Sequence, residues 1–408
     1  MSAKPLGPIP PGVEAIDGEL ALSGRKVSEL AAGGTPLFAY SRGMIRARMA
    51  ALRAAMPAQI SIHYAIKANS FAPLLATMHE LTDGLDIASG GELAMALAAG
   101  ADPARISFAG PGKTAAELEA AIAAGVTLNL ESEGEARRAL AIGELLGITP
   151  RLAVRVNPDF DLKGSGMKMG GGARPFGVDA ERVPALARHI IDAGAEWRGL
   201  HIFAGSQALD AEAVIAAQAA TLELADRLAR EIGAPLPALN LGGGFGIPYF
   251  AGDTPLDIAL VGEALAERCG ALPDTLAGAE LAIELGRYLV GEAGVYLTRI
   301  VDRKESRGET FLVTDGGLHH QLAASGNFGT VVRRNYPLAI ATRFDAPPEE
   351  VANVVGCLCT PLDRLADRAA LARAEVGDLV AVFCAGAYGA SASPSAFLGH
   401  GPAAEMLV

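Results

Sequence analysis

Between Ser61 and about Gly286, short apolar runs rich in Ile, Val and Leu alternate with alanine-rich stretches of helical period. The runs are Ser61 to Ile66, Gly84 to Ala88, Ile106 to Ala109, Thr127 to Leu130, Leu152 to Val156, Gly199 to Phe203, Ala238 to Leu241 and Leu281 to Ile283. Between them lie helix-like stretches: Ala72 to Leu81, Ala115 to Ala124, Glu133 to Leu146, Val183 to Ala193, Ala211 to Ile232 and Leu256 to Arg268. A run that stays apolar on both sides of the pleat belongs to a strand covered on both faces, the signature of a parallel sheet wrapped by helices. Eight such units over ~225 residues predict a (β/α)8 TIM barrel.

After Gly286 the texture changes. Glu292 to Val301, Thr310 to Thr314, Val351 to Leu358 and Asp378 to Cys384 read as strands separated by turns, with little helical period. Leu20 to Leu22 and Leu37 to Tyr40 are also strand-like and are expected to join that later sheet. The α/β chain is thus expected to comprise an N-terminal segment, 1–45, that joins a mainly β domain, a barrel over 46–290, and the C-terminal β domain over 291–408. No low-complexity linker separates the parts.

The length of 408 residues suits about two domains. The formal charge of −12, from 34 Lys plus Arg against 46 Asp plus Glu, offers no basic surface for phosphates and argues against a nucleic-acid partner. Mean hydropathy is high at +0.29, yet no stretch approaches the ~20 uninterrupted apolar residues of a spanning helix, so no membrane partner is expected. The proline-rich start, Met1 to Gly12, lacks the apolar core of a secretory signal, and the expected location is cytoplasmic. The cysteines are Cys269, Cys357, Cys359 and Cys384. Cys357 and Cys359 lie too close for an ordinary disulfide and lack a second Cys or His pair at zinc spacing, so no metal is expected.

In such a barrel, chemistry collects at the C-terminal ends of the strands, and polar residues fall there with regularity. Lys67 ends the first strand; Asp86 and Glu92 flank the end of the second; Glu131 and Glu133 follow the fourth; Arg155 and Asn157 close the fifth. His201 and Ser206 end the sixth, Gly242-Gly243-Gly244 follows the seventh, and Glu284 and Arg287 close the eighth. A lysine after an apolar strand is either snorkelling to the rim or chemically used, as a Schiff-base lysine is. The glycine run is either a tight turn or a row of amides for a phosphate, to which Arg287 would add a bidentate contact. Glu284 is either half of an ion pair with Arg287 or a buried functional carboxylate. One lysine, one phosphate cradle and one buried carboxylate together are what pyridoxal 5'-phosphate requires.

The residues also carry a family likeness. Tyr64-Ala65-Ile66-Lys67-Ala68-Asn69, Asp86-Ile87-Ala88-Ser89 with Glu92, Gly205-Ser206-Gln207, Leu241-Gly242-Gly243-Gly244-Phe245, Glu284-Leu285-Gly286-Arg287 and Ala387-Tyr388-Gly389 occur in order along nearly the whole chain. In these the sequence resembles the fold-type III, alanine-racemase-like decarboxylases of ornithine, arginine or diaminopimelate. The resemblance implies that Lys67 holds the cofactor as an internal aldimine and that Glu284 binds the pyridine nitrogen, stabilising a quinonoid. It implies that Ser206, the Gly243 and Gly244 amides, Arg287 and Tyr388 hold the phosphate, and that Asp86, Glu92, Arg155 and Phe203 line the pocket. It further implies a homodimer with shared active sites, in which Cys359 protonates the carbanion left by carbon dioxide. An acid at the pyridine nitrogen favours decarboxylation, whereas the related racemases place an arginine there. Racemisation, or a regulatory protein that merely binds the cofactor, are the alternatives.

Three positions depart from the family pattern. Thr360 follows Cys359 where the ornithine and diaminopimelate enzymes carry an Asp or Glu that grips the distal amine; Asp363 is the nearest substitute acid. Phe203 replaces a stacking histidine, and Leu285 replaces a proline. Phe203 and the run Cys359-Thr360-Pro361-Leu362-Asp363 look more like a subgroup tied to bacterial exopolysaccharide or exosortase loci and to decarboxylation of glutamyl groups on acyl carrier proteins. The substrate is therefore an amino acid or a carrier-bound aminoacyl group, with diaminopimelate decarboxylation as the alternative. The stretch from Lys163 to Arg174 reads as a basic loop able to cover the substrate or meet an acidic carrier.

Overall fold

The structure is a computed structural model that describes residues 2–162, 164, 166–326 and 334–408. Lys163 of the basic loop lies outside the described residues. The chain divides into two compact units: Met49–Gly246 with Pro255–Gly286, and Met1–Arg48 with Ile247–Thr254 and Arg287–Val408.

The first unit is the barrel. Its strands are β1 (Ile60–Ala65), β2 (Gly84–Ile87), β3 (Ile106–Phe108), β4 (Thr127–Leu130), β5 (Arg151–Asn157), β6 (Glu196–Ile202), β7 (Ala238–Gly243) and β8 (Glu280–Leu285). Each pairs in parallel with the next, and Leu281 of β8 lies opposite Ile60 of β1, closing the sheet on itself. A helix over Arg42–Ala55 leads into β1, and the helices that follow the strands are α1 (Ala72–Leu81), α2 (Gly90–Ala98), α3 (Ala115–Ala124), α4 (Glu133–Leu146), α5 (Val183–Asp192), α6 (Ala211–Ile232) and α7 (Ile258–Cys269). Their limits are written in local chemistry. The Thr114 hydroxyl accepts from the Glu117 N–H while the Glu117 carboxylate accepts from the Thr114 N–H, a reciprocal box that starts α3, and left-handed Gly125 stops it. At α4 the Ser132 hydroxyl accepts from the Glu135 N–H to start the helix, and left-handed Gly147 stops it. α7 starts at Ile258 rather than Leu256 because the Asp257 carboxylate caps the Ala259 and Leu260 amides.

The second unit is built on the strand Gly294–Ser306, which pairs antiparallel with Glu309–Thr314, Leu379–Val382 and Leu37–Tyr40. Glu350–Val355 runs parallel to Glu309–Thr314, and Arg364–Leu371 pairs antiparallel beyond it. Leu37–Tyr40 thus joins the later sheet as expected. Leu20–Leu22 does not: it belongs to a separate three-stranded sheet, Glu14–Ile16, Glu19–Leu22 and Arg25–Lys26, whose apolar side packs with Leu37, Val295, Leu297, Leu379 and Phe383 in one core. Arg364–Leu371 has no alternating pattern because its pairing with Glu350–Val355 is bulged and Arg368 adopts φ +48°. The Asn353 side chain bridges that irregularity, its Oδ1 accepting from the Arg368 N–H at 3.1 Å.

Candidate active site

Lys67 sits in the single 3-10 turn Ile66–Ala68 directly after β1. Its neighbours are buried while Lys67 is exposed, so the turn delivers the ammonium to the rim with no desolvation cost. Nζ stands 5.9 Å from the centre of the Phe203 ring just past β6, within cation–π range.

Glu284 on β8 is buried. His201 Nε2 lies 2.9 Å from its Oε2, off the hydrogen-bonding line. The Asn240 amide donates to the same oxygen at 3.4 Å and accepts from the Gly242 N–H at 2.8 Å, tying the carboxylate to the glycine turn. Burial pushes the Glu284 carboxyl up, but His201, Lys67 and Arg155 outweigh burial and hold it down at about 2. It is a carboxylate at neutral pH.

β7 ends in that glycine turn, and its register against β8 shifts so that Gly243 lies opposite Glu284. A Cβ at Gly243 would stand 2.1 Å from the Glu284 carbonyl oxygen, and one at Gly244, where φ is +73°, 2.1 Å from the Gly205 carbonyl oxygen. Both positions admit only glycine. Ser206 lies beside them on the short strand Gly205–Ser206, which pairs antiparallel with Met167–Lys168.

Asp86 on β2 places Oδ1 3.5 Å from His63 Nδ1, and its buried Oδ2 has no partner among the described residues. Burial disfavours a charged His63, but Asp86 and then Glu284 outweigh it and raise its pKa. Glu92 caps α2: its carboxylate accepts from the Ala88 N–H at 2.6 Å and its own N–H donates to the Ser89 hydroxyl at 3.2 Å. Arg155 is buried and donates to Glu131 at 2.9 Å, and Glu131 also accepts from the Gly110 and Gly177 amides. Burial pushes Glu131 up, yet Arg155 and the Gly177 N–H hold it below the usual carboxylate range. His201 and Glu131 are visible in the sequence only as polar strand ends; their pairing with Glu284 and Arg155 is fixed by strand order.

In the second unit, Arg287 donates to the Tyr249 hydroxyl at 2.8 Å and lies 4.7 Å from the centre of the Tyr388 ring. Its Nε is buried without a partner among the described residues. Tyr388 adopts φ +56°, a strain of the kind kept at working positions. Cys359 is exposed on the loop between Glu350–Val355 and Arg364–Leu371. Asp363 is buried there, and its two oxygens accept from the Leu318 N–H at 2.7 Å and the Leu358 N–H at 2.8 Å, so it fastens two loops together. The fold also gathers His319, Cys357 and His400, with ligand-capable atoms within 4.8 Å of one another, a grouping that no local spacing in the sequence indicates.

An exposed lysine at a strand end, an ionised carboxylate in the barrel, an unpartnered Asp86 oxygen and a turn of obligatory glycines form a donor set that fits pyridoxal 5'-phosphate. The profile of the family described as "Pyridoxal-dependent decarboxylase, pyridoxal binding domain" matches residues 42–291, and the chain belongs to that family. It is a pyridoxal-phosphate-dependent carboxy-lyase acting on an amino acid or an amino-acid derivative. It is 36% identical over 379 residues to the L-glutamyl-[BtrI acyl-carrier protein] decarboxylase of Niallia circulans, covering 91% of this chain and 88% of that one. It is 34% identical over 396 residues to the diaminopimelate decarboxylase of Archaeoglobus fulgidus, covering 96% and 92%. Among solved structures, AQ1208 from Aquifex aeolicus superposes with a TM-score of 0.84 at 32% identity, covering 98% of this chain and 92% of that one. The M. jannaschii diaminopimelate decarboxylase in complex with L-lysine superposes with a TM-score of 0.87 at 26% identity, covering 98% and 93%. Among the described residues no helix is long and apolar enough to cross a membrane.

Proposed function

We propose that this enzyme decarboxylates an aminoacyl group whose side chain ends without a free ammonium, a glutamyl group held on an acyl carrier protein being the leading case. The observation that carries the reading is the Cys359 loop. Thr360 offers a neutral hydroxyl, and Asp363, the nearest acid, is buried with both oxygens engaged by backbone N–H groups. An ammonium arriving there would lose water and gain no counter-charge. The 36% likeness to a carrier-protein glutamyl decarboxylase supports the same reading.

The cofactor supplies an electron sink for the pair released when carbon dioxide leaves. Lys67 provides the amine that holds it. Glu284, held ionised with His201 as the largest lowering influence, would retain a proton on the pyridine nitrogen, and Phe203 would offer the cofactor an apolar surface. Ser206 and the Gly243 and Gly244 amides would bind the phosphate, with Arg287 and Tyr388 in the role the family resemblance implies. Asp86, Glu92 and Arg155 shape the pocket wall. Cys359 gives a proton to the substrate carbon that has lost its carboxylate. The chain acts as a cytoplasmic homodimer, with a β domain that takes in residues 1–45 and 291–408 and a cofactor domain that lies within 46–290.

The Lys67→Ala protein is expected to lose the visible absorbance of covalently held cofactor after gel filtration. Retention of that absorbance would overturn the assignment of Lys67.

A further inference from the structure

The second unit holds a side-chain cluster to which the proposed function assigns no role. His319 follows the strand Glu309–Thr314, Cys357 follows Glu350–Val355, and His400 precedes Ala404–Leu407. Cys357 Sγ stands 3.8 Å from His400 Nε2, and the rings of His319 and His400 are centred 4.9 Å apart. His319 is wholly buried, and neither of its ring nitrogens has a hydrogen-bond partner among the described residues. A buried imidazole that has given up water and received nothing in return points to a missing ligand.

We propose that His319, Cys357 and His400 bind a divalent transition ion of the zinc class, with the fourth position left to water. Two imidazoles and a thiolate are the borderline-soft set that zinc prefers, and they disfavour magnesium and calcium, which take oxygen ligands. With zinc–nitrogen and zinc–sulfur bonds of about 2.0 and 2.3 Å, tetrahedral geometry sets nitrogen and sulfur about 3.5 Å apart. The observed 3.8 Å needs only a small rotation of the exposed His400.

The surroundings fix the ligand segments. Asp363 holds the loop of His319 to the loop of Cys357 through the Leu318 and Leu358 amides. His320 lies between the Tyr296 hydroxyl at 3.1 Å and the Gly401 carbonyl at 3.0 Å, which anchors the segment that carries His400. These bonds are the outer shell that orients ligands before an ion arrives. Binding breaks the Cys357 S–H bond, releases that proton to solvent and ends the long thiol contact to the Asp315 carbonyl at 3.5 Å. No oxidation accompanies it.

The test uses the full-length, cofactor-loaded protein dialysed against Zn2+ and, separately, Co2+. The expected result is one zinc per chain by mass spectrometry, and a cobalt form with the strong red absorption of four-coordination and a thiolate charge-transfer band. Cys357→Ser should abolish the charge-transfer band, and His400→Ala should weaken zinc binding by at least ~10-fold. Cys359→Ala should change neither. Because His400 is exposed, its replacement leaves the core intact. Zinc that washes away, zinc retained equally by Cys357→Ser and His400→Ala, or zinc lost from Cys359→Ala would each overturn the proposal. Decarboxylase activity is not the readout, so the result stands apart from the assignment of the substrate.

Discussion

A carboxylate inside a barrel stays ionised only where groups that favour its charge face it, and Glu284 is faced by His201, Lys67 and Arg155. Replacing His201 with glutamine removes the group that lowers the Glu284 pKa most, so the Glu284 carboxyl should titrate at higher pH. The acid limb of the rate profile should then move up in pH, with activity near neutrality less affected. An unmoved acid limb would show that His201 does not govern this carboxylate. Cys359 is testable at the same scale. Cys359→Ala should lower turnover ~10²- to 10⁴-fold, the usual worth of a placed proton donor, while bound-cofactor absorbance stays unchanged. Unaltered turnover would remove the thiol from the mechanism. The likeness of Tyr64–Asn69 and Glu284–Arg287 to known motifs made Lys67 and Glu284 legible. The His201 contact was not, because β6 and β8 are separated by β7 and only the closed sheet sets His201 against Glu284.

Strand and helix limits followed the sequence closely because caps and turns are local chemistry: Thr114 with Glu117, Ser132 with Gly147, and Asp257 each mark a boundary in a few residues. Arg364–Leu371 escaped for the converse reason, its side-chain alternation being broken by bulges that only its partner strand defines. Glu131 shows how a loop and two strands share one charge. It follows β4, takes Arg155 from β5 and binds the Gly110 and Gly177 amides. Arg155→Met leaves this carboxylate buried and unpaired, and should cost ~3–5 kcal/mol in denaturant unfolding. The pH dependence has a definite sign. Burial pushes the Glu131 carboxyl up, Arg155 and the Gly177 amide pull it below its ordinary 4.5, and the unfolded chain therefore binds the proton more readily. Glu131 stabilises the fold above that value and loses its contribution as pH falls below it. Glu131→Gln should be the less stable protein near neutrality, with the gap narrowing toward acid. A constant difference across pH would contradict this origin.

At the scale of the whole molecule, the barrel was legible because eight apolar runs at regular spacing leave few alternatives, whereas the smaller unit was legible only in class. Its three-stranded sheet around Glu19–Leu22 and the grouping of His319, Cys357 and His400 depend on contacts between distant segments, Cys357 and His400 being 43 residues apart. No spacing rule reaches that far. Sedimentation of the cofactor-loaded protein should give a dimer, and a monomer with full activity would exclude shared sites. The central claim concerns the substrate. Carbon dioxide release should be measured from the purified enzyme with meso-diaminopimelate, ornithine, lysine, arginine and glutamate, beside a glutamyl-loaded acyl carrier protein. The account predicts release from the carrier-bound glutamyl group and silence with every free diamino acid. Turnover of diaminopimelate, with none of the carrier-bound group, would contradict it and would mean that an ammonium is accepted without Thr360 or Asp363 as its partner.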